Sequence, residues 1–293
     1  MRRWIVRAIV GVALVGLALT VLATAFVWVQ GRRAPEGRPE YVALGSSFAA
    51  GAGLGRLQTG SPLMCARSVG SYPQQLARQD GLPIVDMSCG GAVAKHLLRG
   101  GQFFQGPQIR PITPETRLVT ITVGGNDIGY VGDLSLLASR KSNDVLGWLT
   151  RRVWKGPKSG TARDYDGLRA ELLATIRAVR AQAPAARIVL VTYPAILPES
   201  GTCDRLQLTV GEADLMRQVG DRLAGVTRSA ADEGGALLVD MHRLGARHNA
   251  CAAEPWTSGW TNAPVARFHP TARGAEATAA AISDALNPRP SAP

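Results

Sequence analysis

Between residues 41 and 286 the chain alternates short apolar runs with amphipathic segments, and this alternation limits its possible folds more than any other feature. Strand-like runs fall at 41–44, 83–87, 117–123, 187–192 and 236–240. Helical spacing fills 72–79, 165–182, 213–231 and 271–286, clearest at Leu168, Leu172, Ile176 and Val179. Strands that alternate with helices predict an α/β fold: a parallel sheet covered on both faces through right-handed crossovers. In such sheets ligands bind beyond the carboxyl ends of the strands. No internal repeat interrupts the pattern.

That rule gives four segments a common address. Ser47 follows the first run, in Tyr41-Val-Ala-Leu-Gly-Ser-Ser-Phe-Ala-Ala-Gly51, with Gly45 and Gly51 marking a tight turn around it. Gly91 follows the second run, in Cys89-Gly-Gly-Ala92, and Asn126 the third, in Gly124-Gly-Asn-Asp127. His269 precedes the last helix, between Phe268 and the rigid Pro270. A serine hydroxyl needs an adjacent base and preorganised donors for the oxyanion it creates. Ser47, His269, a glycine N–H and the Asn126 amide supply these, so acyl transfer is the chemistry expected. Ser46 is the rival nucleophile, better suited to supporting the turn. His242, after a strand end, is the alternative base. Asp127 is expected to cap the following helix.

The N-terminus is separate in character. Arg2, Arg3 and Arg7 precede an uncharged stretch at 8–29, long enough at about 1.5 Å per residue to cross a bilayer core of roughly 30 Å. Trp4 and Trp28 stand near its ends. Residues 1–30 therefore read as a transmembrane anchor, or as a signal peptide removed near Ala23-Thr-Ala25. Either reading exports the rest, leaving a breaker-rich linker at 31–40 and a domain at 41–293. Residues 1–40 hold six Arg and two Glu, so +4 of the net +11 lies there and +7 in the domain. A moderately basic exported domain suits an anionic envelope surface. With no dense basic stripe interleaved with aromatics, nucleic acid is not the expected partner. Cys65, Cys89, Cys203 and Cys251 suggest two disulfides, with three pairings open. The histidines and cysteines lack metal-ligand spacing, so neither metal nor cofactor is expected.

Together the four segments resemble the blocks of the SGNH (GDSL) hydrolase family, across nearly all of 41–286. Cys65-Ala-Arg-Ser68 with Tyr72-Pro73, and His248-Asn-Ala-Cys251 with Trp256, resemble accessory motifs of its secreted bacterial esterase and lipase branch. The resemblance implies a three-layer α/β/α sandwich around a five-stranded parallel sheet of flavodoxin-like type. It implies Ser47 as nucleophile, His269 as base, and an oxyanion hole of the Ser47 and Gly91 N–H groups with the Asn126 side chain. It also implies the pairings Cys65–Cys89 and Cys203–Cys251.

Two positions depart from the family pattern. Ser46 stands where the family usually has Asp. Ala266 stands three residues before His269, where an Asp is frequent, so the Ala266 carbonyl is the expected partner of the imidazole in a Ser–His dyad. Residues 131–163, with Arg140, Lys141, Arg151, Arg152, Lys155 and Lys158 beside Trp148 and Leu149, form either a solvated insertion or a membrane-facing or substrate-gating lid. The expected substrate is an ester, either a lipid or an acylated glycan. Rival functions are an O-acyltransferase or deacetylase on envelope glycans, and a catalytically silent envelope-binding domain. The sequence does not set an oligomeric state.

Overall fold

The structure, a computed structural model, describes residues 2–35, 37–261 and 263–288. Met1, Glu36 of the linker, Asn262 and the end of the 41–293 segment at 289–293 lie outside the described residues. Five parallel strands, β1 (Tyr41–Gly45), β2 (Ile84–Asp86), β3 (Leu118–Thr122), β4 (Arg187–Val191) and β5 (Leu237–Val239), are ordered β2-β1-β3-β4-β5. This is the flavodoxin-like order, whose switch point lies where the chain leaves β1 for either side. Tyr41 pairs with Ile84 on one side and Leu118 on the other, and Gly45 pairs with Thr122.

The helices are α1 (Arg2–Arg32), α2 (Ser47–Ala50), α3 (Tyr72–Asp80), α4 (Lys95–Arg99), α5 (Tyr130–Ser139), α6 (Val145–Val153), α7 (Tyr165–Gln182), α8 (Val210–Gly234), α9 (Met241–Leu244) and α10 (Ala272–Leu286). Alternation along the strands divides the core in two. Val42, Leu44, Val119, Ile121, Ile188 and Leu190 face α5, α7 and α8, where Leu134, Leu172, Ile176 and Leu223 are buried. Tyr41, Ala43, Leu118, Val189 and Val191 face α3 and α10, against Leu76, Ala279 and Ile282. Each such fully buried aliphatic side chain contributes about 1.5–3 kcal/mol. The expected three-layer sandwich is therefore present.

Helix ends follow their local chemistry. Thr209 and Glu212 form a reciprocal capping box that starts α8 three residues earlier than its apolar periodicity suggests. Thr271 caps α10 by accepting the Gly274 N–H. α1 runs to Arg32, two residues into the segment read as linker. Its apolar part, Ile9–Arg32, has a mean hydropathy of 2.5 and an unburied apolar window, and only its last turn meets the rest of the chain, through Gln30 and Gly31.

Candidate active site

Ser47 is the first residue of α2, just past the end of β1, and is only 8% exposed. The turn that places it is tightly held. Gly45 adopts φ +145°, and a Cβ there would overlap the Thr122 carbonyl oxygen. Buried Gln108 clamps the same residue: Gly45 N–H donates to Oε1 at 2.8 Å, and Nε2 donates to the Gly45 carbonyl at 3.0 Å. Nothing in the local sequence around Gln108 announces this task.

Where the family usually has Asp, Ser46 is fully buried, with Oγ 2.7 Å from the Tyr193 hydroxyl. That hydroxyl accepts the Gly125 N–H at 3.2 Å. A neutral chain from Ser46 through Tyr193 to Gly125 thus links the Ser47 turn to the Asn126 turn. Burial pushes the Tyr193 phenol up to about 12, so it stays protonated. Its contribution escapes sequence reasoning because Ser46 and Tyr193 are 147 positions apart.

The loop carrying Gly91 is stapled from several sides. Cys65 is joined to Cys89, and Gly90 N–H donates to the Cys65 carbonyl at 2.9 Å. Arg67 Nε donates to the Ser88 carbonyl at 2.5 Å, and Gln102 Nε2 to the Gly90 carbonyl at 2.7 Å. Gly91 itself adopts φ +78°, a backbone state that favours glycine. Asn126 Nδ2 donates to the Ala92 carbonyl at 2.9 Å, which leaves its second amide proton for another acceptor. Asp127 caps a helix, but not the one that follows it. Its carboxylate accepts the Ala94 N–H at 2.9 Å at the start of α4, because the β2 loop lies beside the β3 turn. Burial raises the Asp127 pKa, and the Ala94 bond opposes that shift.

His269 completes the group. Its Nε2 lies 2.8 Å from Ser47 Oγ, across 222 positions of sequence. Its Nδ1 lies 2.7 Å from the carbonyl oxygen of Arg267, which corrects the expectation that Ala266 supplies the partner. The reason is the backbone between them. Phe268, fully buried, takes a left-handed φ of 56° that swings the Arg267 carbonyl toward the ring. The Ala266 carbonyl is engaged instead by the Ser258 hydroxyl and, at 3.3 Å, by the His269 N–H. Burial lowers the His269 pKa below its ordinary value, partly offset by the Arg267 carbonyl.

The accessory motifs support this loop. His248 stacks on Trp256 with centroids 4.4 Å apart, and the Trp256 carbonyl accepts the Thr271 N–H at 2.9 Å, two residues beyond His269. Cys203 is joined to Cys251. His242 sits elsewhere, with Nε2 3.3 Å from Asp221, and its pKa is lowered chiefly by burial. Asp240 is engaged by Arg228, at 2.8 Å, and by Thr192, at 3.2 Å.

Residues 43–277 match the GDSL-like lipase/acylhydrolase family. The chain is 31% identical over 266 residues to lipase 2 of Streptomyces coelicolor, covering 84% of this chain and 85% of that one. Among solved structures it is similar to an extracellular lipase from Streptomyces rimosus, with TM-score 0.68 and 27% identity over 84% of this chain and 98% of that one. It is also similar to phospholipase A1 from Streptomyces albidoflavus, with TM-score 0.67 and 27% identity over 83% and 98%. A Corynascus carbohydrate esterase, at 16% identity and TM-score 0.51 over 87% and 67%, shares the fold. The chain therefore belongs to the GDSL-like (SGNH) lipase/acylhydrolase family, the carboxylic ester hydrolases built on this sandwich.

Proposed function

We propose that the chain is an exported, membrane-anchored esterase that hydrolyses lipid esters through an acyl-enzyme on Ser47. The observation that carries the reading is the 2.8 Å approach of His269 Nε2 to Ser47 Oγ, with Nδ1 engaged by a carbonyl. A carbonyl oxygen only accepts, so the proton of the neutral imidazole sits on Nδ1 and the Nε2 lone pair faces the serine. Nε2 takes the Ser47 proton as Oγ attacks the ester carbonyl. The resulting oxyanion lies among the Ser47 N–H, the Gly91 N–H and the free proton of the Asn126 amide. One such donor is worth about 3–4 kcal/mol. Collapse expels the alcohol, which receives its proton from His269, and water enters by the same route in reverse to release the acid.

Export is supported by the four cysteines, all paired, since disulfides persist in oxidising compartments. Anchoring is supported by the length and hydropathy of α1. Residues 1–30 then form the anchor, 31–40 the linker and 41–293 the hydrolase domain. Lipid esters are favoured because relatives similar over most of the chain are a lipase and a phospholipase A1.

The test is kinetic. Ser47→Ala is expected to abolish turnover of a soluble short-chain ester, and Asn126→Ala to lower kcat by about two to three orders of magnitude. Full activity in Ser47→Ala would refute the reading.

A further inference from the structure

Helix α6 has its apolar side outside. Facing inward, Thr150 is buried with Oγ1 3.1 Å from Ser139 Oγ, and a Cβ on Gly147 would overlap the carbonyl oxygens of Ser139 and Ser142. Facing outward, Val145, Trp148, Leu149 and Val153 are 80, 54, 47 and 68% exposed. Spacing of i, i+3, i+4 and i+8 puts them on one face, so they form a continuous stripe. Arg152 lies over the Trp148 ring at 5.6 Å, and Arg151 ties α6 to the carbonyls of Arg140 and Ser142 at 2.6 and 2.8 Å. The helix is thus firmly docked by its polar side, with tryptophan, aliphatics and cations left outside.

Its place in the fold matters as much. α7 and α8 each return to the amino end of the next strand, so both begin at the carboxyl end of the sheet. α6 lies between α5, which starts just after Asn126, and the start of α7. Arg140, beside α6, approaches Glu212 in the first turn of α8 at 4.0 Å. α6 therefore stands at the Ser47 end of the molecule. α1 joins that end too: Gly31 packs on the Phe103 carbonyl, and Gln30 Oε1 accepts the Leu63 N–H at 2.7 Å. Two residues beyond Leu63, Cys65 holds the Gly90–Gly91 loop through Cys89.

We propose that the outward face of α6 lies in the headgroup region of an anionic bilayer, the same bilayer that α1 spans, so that Ser47 opens toward ester lipids of that membrane. The proposal rests on reading α1 as a span. An apolar face with tryptophan and flanking arginines matches an anionic interface, where the rings enter the acyl boundary and the cations meet lipid phosphates. The polar inner face holds α6 against α5, which suits a fixed membrane foot better than a hinged cover.

The experiment uses the full chain reconstituted in vesicles of phosphatidylcholine with or without phosphatidylglycerol. Because all four native cysteines are paired, Val145→Cys offers a single thiol for an environment-sensitive fluorophore. Its emission should shift to the blue and be quenched by shallow nitroxide lipids, more strongly in anionic vesicles. The same label at Asp232→Cys, at the opposite end of the sheet, should stay unquenched. The double variant Trp148→Ser/Leu149→Ser should turn over a vesicle-embedded ester about tenfold more slowly, with soluble-ester turnover unchanged. Alkaline extraction reports on α1 alone, so a failed anchor is recognised separately. A water-exposed Val145→Cys label on protein that resists extraction would overturn the proposal. So would an equal fall in soluble-ester turnover, the mark of a substrate gate, or a dimer that the double variant dissociates, the mark of a second copy on this face.

Discussion

The Nδ1 of His269 lies 2.7 Å from the carbonyl oxygen of Arg267, two residues earlier in the chain. A main-chain acceptor cannot be removed by substitution, and it carries no full charge to stabilise the imidazolium. The proposed mechanism is therefore a dyad, with the geometry of its histidine set by the Phe268 backbone. His269→Ala is expected to lose essentially all activity. Asp240→Asn should keep most of it, because that carboxylate is occupied by Arg228 and Thr192. Soluble-ester kinetics for the two variants check this; inactivity of Asp240→Asn with unchanged stability would reveal a distant third member.

The proposed dyad also predicts the pH response. His269 must be neutral to accept the Ser47 proton, and burial holds its pKa below the ordinary value. The neutral form then persists to lower pH, so the acid limb of kcat/KM should inflect below about 6.5. An inflection above that value would mean that a carboxylate stabilises the imidazolium.

Tyr193 should matter more than its distance in sequence suggests. Tyr193→Phe deprives the buried Ser46 hydroxyl and Gly125 N–H of a partner. The expected cost is about 1–3 kcal/mol in denaturant unfolding, with a fall in kcat larger than any change in KM. An unchanged kcat would show that the link between the two turns does not position the site.

The two disulfides should separate in effect. Replacing Cys203 and Cys251 by serine is expected to lower stability by about 2–5 kcal/mol while the folded enzyme keeps its kcat. Replacing Cys65 and Cys89 frees the loop that carries Gly91, and kcat should fall by roughly ten- to a hundredfold. Unfolding curves and kinetics on both pairs decide this; equal kcat losses would contradict it.

Much of this was legible in the residues. Periodicity alone places 165–182 as a helix, and α7 spans Tyr165–Gln182. Parallel strands deliver their carboxyl ends to one side, so the Ser47, Gly91 and Asn126 turns share one rim. What escaped depends on backbone direction and on long-range pairs. The choice of Arg267 over Ala266 follows from one left-handed residue, Phe268, which no local propensity favours. The Ser46–Tyr193 and Gln108–Gly45 contacts join positions that only the folded sheet makes neighbours. The missed start of α8 did have a signal, the Thr209 and Glu212 spacing of a capping box.

The central claim is that Ser47, activated by His269, forms the acyl-enzyme. It is tested most directly by treating the full-length protein with an organophosphonate and mapping the adduct by mass spectrometry. The account predicts one adduct, on Ser47, absent from Ser47→Ala and formed far more slowly in His269→Ala. An adduct on Ser46, or one on Ser47 that forms as fast without His269, would contradict it.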